Sequence, residues 1–181
     1  MDVTELLRAH GRGEAGAFEQ VVPLVYQDLR RAARLQLRRL RVGETLDTTG
    51  LVHEAYLRLV DQTKATFQDR GHFLAASAMA MRHILIDHAR TRRRQKRGGG
   101  QAHEELDERA LAVNADADRL LEIDRALEKL GAVDPRLVRV VECRFFAGLS
   151  EEETAQALGV SLRTAQRDWL KARAWLRQAL T

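Results

Sequence analysis

Apolar residues recur at three- and four-residue steps along nearly the whole chain, the period of an α-helix that buries one face. Phe18, Val21, Val22, Val25, Leu29, Ala32, Ala33 and Leu37 form one such stripe, and Leu51, Val52, Ala55, Tyr56 and Leu59 form another. Asp2 with Glu5 three positions on predicts a capped short helix through about Ala9, stopped at Gly11 and Gly13. The next helix starts near Ala15, and Pro23 within its stripe predicts either a kink or a later start. After a break at Gly43, a third helix runs from about Thr49 to Val60, with His53, Glu54 and Arg58 on its polar face. The polar stretch Asp61 to Gly71 carries no stripe and reads as a loop. A fourth helix, about His72 to Arg94, begins apolar at Phe73, Leu74, Ala75 and Ala76, passes Met79, Ile84, Leu85 and Ile86, and ends in a basic tail.

Gly98-Gly99-Gly100 and the acid-rich stretch that follows break the pattern, because three glycines cost ordering entropy and their neighbours bury little apolar surface. Periodicity resumes in four helices, about Asp118 to Leu130, Pro135 to Phe146, Glu151 to Leu158 and Leu162 to Leu180. Their edges are marked by Asp134 before Pro135, Ser150 with Glu153, and Ser161. No segment has strand periodicity and no internal repeat is present. The predicted fold is all-α: two small helical domains, residues 1–97 and 118–181, joined by a flexible linker over 98–117. Aromatic residues make up only 5% of the chain, which favours two modest cores over one deep one.

The strongest local motif runs from Leu149 to Trp169. A capped helix of about two turns ends at Gly159, Val160 fills the corner, Ser161 opens the next helix, and small Ala155 allows a close crossing. That is the pattern of a helix-turn-helix, whose second helix presents its N-terminal residues to base edges in the major groove. Leu162, Arg163, Thr164, Gln166 and Arg167 occupy those positions, where arginine matches guanine and glutamine matches adenine through paired hydrogen bonds. Further along, Lys171, Arg173 and Arg177 are placed for phosphates. Trp169, Leu170, Ala172, Trp175, Leu176 and Leu180 are the predicted inward stripe.

Charge adds a second signal. The net charge is only +4, but Arg90-Thr91-Arg92-Arg93-Arg94-Gln95-Lys96-Arg97 places six cations in eight positions, a mutual repulsion that a polyanion relieves. The opposite face of the second helix carries Arg30, Arg31, Arg34, Arg38 and Arg39. One cysteine, Cys143, excludes a disulfide framework or cysteine-based metal site and fits a reducing cytoplasm. There is no leader-like N-terminus and no apolar run of about 18 residues, so export and membrane insertion are not expected.

Catalytic machinery is not visible. His53-Glu54 has Leu57 where a zinc-protease helix needs its second histidine. His83 and His88, five apart, point from different helix faces. The three glycines lack a preceding strand and a following Lys-Ser/Thr. No catalytic residue, metal or cofactor is expected, and the rival reading is a helix-turn-helix regulator that binds DNA without polymerase.

Over nearly its full length the chain resembles the extracytoplasmic-function (ECF) group of bacterial sigma factors, a region-2 module, a linker and a region-4 helix-turn-helix. The segment Thr49 to Val60 resembles the helix that docks on the clamp helices of RNA polymerase core. The resemblance implies polymerase contacts at Leu51, His53, Glu54 and Arg58, with the flap as a further core contact. The segment Phe73 to Arg94, above all Ile84 to Arg90, resembles the helix that engages and opens the promoter element roughly ten base pairs upstream of the start. This implies strand contacts at His72, Phe73, Arg82, His83, Asp87, His88 and Arg90, next to the basic residues Arg92, Arg93 and Arg94. The loop 61–71 would form part of a pocket for a base flipped out of the nontemplate strand. Leu149 to Leu176 resembles the reader of the element roughly thirty-five base pairs upstream, implying DNA contacts from Ser161, Leu162, Arg163, Thr164, Gln166, Arg167, Lys171 and Arg173. Two positions depart from the family, which often has tryptophan near Ala76 and asparagine near His83. Implied partners are polymerase core, promoter DNA and an anti-sigma factor or other regulator.

Overall fold

The computed structural model describes the backbone of residues 2–40, 46–61, 66–98 and 108–181, with all their side chains except those of Asp61, Lys96 and 108–115. Among the described residues eight α-helices follow one another: α1 (Val3–Gly11), α2 (Ala17–Leu40), α3 (Thr48–Asp61), α4 (Arg70–Gly98), α5 (Glu108–Val133), α6 (Pro135–Val141), α7 (Glu151–Leu158) and α8 (Leu162–Ala179). A π-helical turn, Glu142–Phe146, extends α6. The break at Gly43 and the tether residues 99–107 lie outside the described residues.

The predicted helix starts rest on the expected chemistry. Asp2 accepts from the Thr4 N–H while Glu5 accepts from the Asp2 N–H at 2.9 Å, a reciprocal cap on α1. Asp134 caps α6 ahead of Pro135, whose missing N–H costs nothing in the first turn. Helix α2 begins at Ala17, two residues after the predicted start, and still holds Pro23 in its interior. Helix α5 begins ten residues before the predicted Asp118, so residues 108–117 of the expected linker are helical.

Helix α4 occupies the centre. It packs against α1, α2 and α3 on one side and against α5, the π turn and α7 on the other. Ser77, Ala78, Met81, Ile84, Leu85, Ile86 and Ala89 are all buried, more than one helical face can account for. Apolar burial is therefore continuous from Val3 through Phe73 and Phe146 to Ala172, one core where the sequence suggested two. Buried Gln36 ties the halves by donating to the Ala78 carbonyl at 3.0 Å and the Phe146 carbonyl at 3.4 Å.

Candidate nucleic-acid and polymerase interface

Helices α7 and α8 form the turn that the motif predicts. Ser150 Oγ accepts from the Glu153 N–H at 3.1 Å, and Glu153 returns a bond to the Ser150 N–H at 2.8 Å. Gly159 closes α7 at φ 63°, ψ 35°, a left-handed conformation that glycine adopts without a Cβ clash. Val160 N–H donates to the Ala155 carbonyl at 3.0 Å, pulling the chain around the corner. Ser161 then caps α8 by accepting from the Thr164 N–H at 3.1 Å, and its hydroxyl lies 2.9 Å from Thr164 Oγ1.

From that frame Leu162, Arg163, Gln166, Arg167, Lys171 and Arg173 are exposed and Thr164 is half-buried. Gln166 is held by Glu151, donating to its carboxylate at 2.7 Å. The guanidinium of Arg173 lies 5.6 Å from the Trp169 ring. The inward stripe differs from the prediction, since Leu170 is 65% and Leu180 46% exposed. Ala165, Asp168 and Ala172 take the buried positions, with Trp169, Trp175 and Leu176 half-buried beside them. Asp168 is the residue the apolar pattern could not reveal. It is buried and accepts from Arg136 Nε at 2.6 Å, bracing α8 against α6, and this bond raises the Arg136 pKa further.

The predicted strand-contact residues on α4 divide into four groups. Phe73 is fully buried, packed edge-on against Phe67 and Phe18 with ring centroids 5.1 and 6.0 Å apart, so it serves the core and not a nucleic-acid strand. His72 works at the helix start, where its Nδ1 accepts from the Gln68 N–H at 3.2 Å and its own N–H donates to Asp69 at 2.8 Å. His83, Asp87, Arg90 and Arg94 are exposed, and His88, Arg92 and Arg93 are half-buried.

Arg82 is the fourth case. It is buried, 3.3 Å from Asp124 on α5 and 3.2 Å from Glu142 on the π turn, with its guanidinium carbon 5.5 Å from the Phe146 ring. Asp124 also reaches Arg90 at 3.5 Å, and Asp118 reaches Arg93 at 3.7 Å. Carboxylates of the carboxy-terminal half thus stand against the basic side of α4. Burial raises the Glu142 pKa despite nearby Arg82 and Arg139, and partial loss of solvent around the ring, followed by repulsion from Arg82, lowers that of His83.

The polymerase-contact candidates also divide. Leu51 is fully buried, because its side chain belongs to the apolar stripe that packs α3 into the core, so it is not available as a surface contact. Glu54 lies 3.7 Å from His88, and Arg58 donates to Asp87 at 2.8 Å, joining α3 to α4. His53 is exposed, and Leu57 and Val60, four and three positions further along, are 60% and 39% exposed on the same face. Leu57 was missed as a surface candidate, although its departure from the 51–52–55–56–59 stripe is the signal that marks it.

The family model described as ECF sigma factor matches residues 1–181. The chain belongs to the ECF sigma factor family. An ECF sigma factor is a DNA-binding protein of transcription initiation, so the exposed basic end of α8 and the basic tail of α4 belong to a DNA-binding chain. No curated protein and no solved structure matches it significantly. Among the described residues this sigma factor has no group of three or more side chains able to hold a metal, and none of its helices is long and apolar enough to cross a membrane.

Proposed function

We propose that this sigma factor confers promoter specificity by joining RNA polymerase core and engaging two separate promoter elements. The outward face of α3, with His53 and Leu57, docks on core. The basic end of α4, from Arg90 to Arg94, engages the element nearer the start site. Arg163, Gln166 and Arg167 of α8 read the distal element from the major groove. The observation that carries this reading is the capped α7–α8 turn, which leaves two arginines and a glutamine exposed at the leading end of α8.

Promoter engagement requires the halves to part, since Arg82 and Arg90 are held by Asp124 and Glu142. In this reading residues 1–97 and 118–181 act as separate units on DNA, and core polymerase supplies the binding energy that separates them. The chain itself contributes binding and carries out no covalent step.

Transcription by core polymerase on a genomic promoter library, with and without the protein, tests the assignment. Promoter-specific transcripts that depend on the protein are expected. Arg163→Ala or Arg167→Ala should shift preference within the distal element, a bidentate base contact being worth about 1–3 kcal/mol. Arg92→Ala or Arg93→Ala should weaken binding evenly across promoters and lower the salt slope by about one each. Identical changes in specificity from both classes would overturn the division between base readers and phosphate contacts.

A further inference from the structure

Arg31, Arg34 and Arg38 follow one another at three- and four-residue steps on the outward side of α2, a stripe for which promoter binding gives no role. The structure turns that stripe into one wall of a cleft of about 890 Å³. The other wall comes from the carboxy-terminal half, where Arg144 lines the cleft and Leu149 forms part of its floor. Arg39 closes one end, donating to the Phe145 carbonyl at 2.8 Å with its guanidinium 4.5 Å from the Phe145 ring.

Five arginines line this space, and among the described residues no carboxylate does. Among the described residues the one carboxylate paired with a lining arginine is Asp28, 4.0 Å from Arg31 but committed to Arg70 at 2.6 Å. Arg34 and Arg38 have no ion pair among the described residues. Arg144 Nε is buried without a hydrogen-bond partner among the described residues, while Nη1 of the same guanidinium donates to the Leu149 carbonyl. Partial loss of solvent, followed by the Arg38 charge, lowers the Arg39 pKa. The basic cleft between α4 and α5 is different, because Asp87 and Asp124 line it among the arginines.

We propose that the α2–Arg144 cleft binds a phosphate-bearing polyanion, either a nucleic-acid backbone or a free polyphosphate. Phosphate fits because the planar guanidinium fork pairs with two of its oxygens at once, and because several linked phosphates relieve several arginines together. Since α2 and the residues after α6 each supply a wall, the occupied cleft also clasps the two halves together.

The test uses the full chain without polymerase, so its outcome is independent of the transcription reading. Sodium tripolyphosphate, a short DNA duplex and polyglutamate of matched charge are titrated into the protein. The same is done for Arg34→Gln/Arg38→Gln, which empties the stripe, and for Arg8→Gln/Arg12→Gln, which removes two exposed charges elsewhere. Loss of about tenfold or more in phosphate binding only in the first variant is expected, as removal of specific phosphate contacts requires. Sensitivity in the tripolyphosphate arm assigns a free polyphosphate, and sensitivity in the duplex arm alone assigns a nucleic-acid backbone. Equal losses in both variants, no binding of either phosphate probe, or polyglutamate binding as tight as tripolyphosphate would each overturn the proposal.

Discussion

Arg82 joins the two halves through carboxylates on α5 and the π turn. An arginine buried between Asp124 and Glu142 cannot serve a nucleic-acid strand until those carboxylates withdraw. The pKa of its partner Glu142 is raised in the folded chain, because burial outweighs the attraction of Arg82 and Arg139. A carboxyl group with a raised folded pKa contributes most below its unfolded pKa, and that contribution is lost as pH rises through the folded value. Glu142→Gln keeps an acceptor for Arg82 but removes the titration. Its stability relative to the native chain, from urea unfolding, should therefore grow as pH rises above the ordinary carboxylate range. Several residue roles were beyond periodicity. Phe73 and Leu51 have the spacing of core residues and are core residues, and only family resemblance put them at an interface. Gln36 and Asp168 are buried polar groups whose partners lie 42, 110 and 32 positions away, distances that no local pattern reports.

At the scale of elements, local chemistry was legible wherever a boundary depends on a side chain a few residues away. The caps at Asp2, Asp134, Ser150 and Ser161 are all formed, and the Gly159 turn has the conformation its sequence demands. Ser150→Ala should cost about 1 kcal/mol by removing an N-cap acceptor, measured as a shift in the urea midpoint without a change in slope. Boundaries set by tertiary packing were less legible, as the early start of α5 at Glu108 illustrates. The π turn at Glu142–Phe146 is another such case, its widened backbone bringing Phe146 and Cys143 into the core. One clue to the architecture did lie in the sequence. Ile84-Leu85-Ile86 puts three apolar side chains at about 100° intervals, so no single stripe holds them and α4 must be covered on more than one side.

Across the whole molecule, the all-helical class, the turn motif and the family were available from sequence. The closed packing of the halves was not, because it depends on contacts such as Arg82–Glu142 across 60 positions. Cys143 gives that packing a native probe. It is fully buried, its thiol is pushed up to about 12, and it borders a cleft walled by Gln68 and His72 from one half and by Ala157 and Gly159 from the other. A thiol-specific reagent should label the free chain at the slow rate of opening, and addition of polymerase core should speed labelling markedly. Unchanged labelling in the presence of bound core would mean that the halves stay closed around Cys143. The most direct test of the account joins initiation to opening in one assay. A Cβ at Gly71 would lie 3.1 Å from Ala157 Cβ, close enough for Gly71→Cys/Ala157→Cys to form a bridge after a small adjustment of α4 against α7. Reconstituted transcription with polymerase core should give promoter-specific products from the reduced variant and few from the oxidised one. Equal transcription from both forms would contradict the opening step, and no products from the reduced variant or the native chain would contradict its role as the specificity factor.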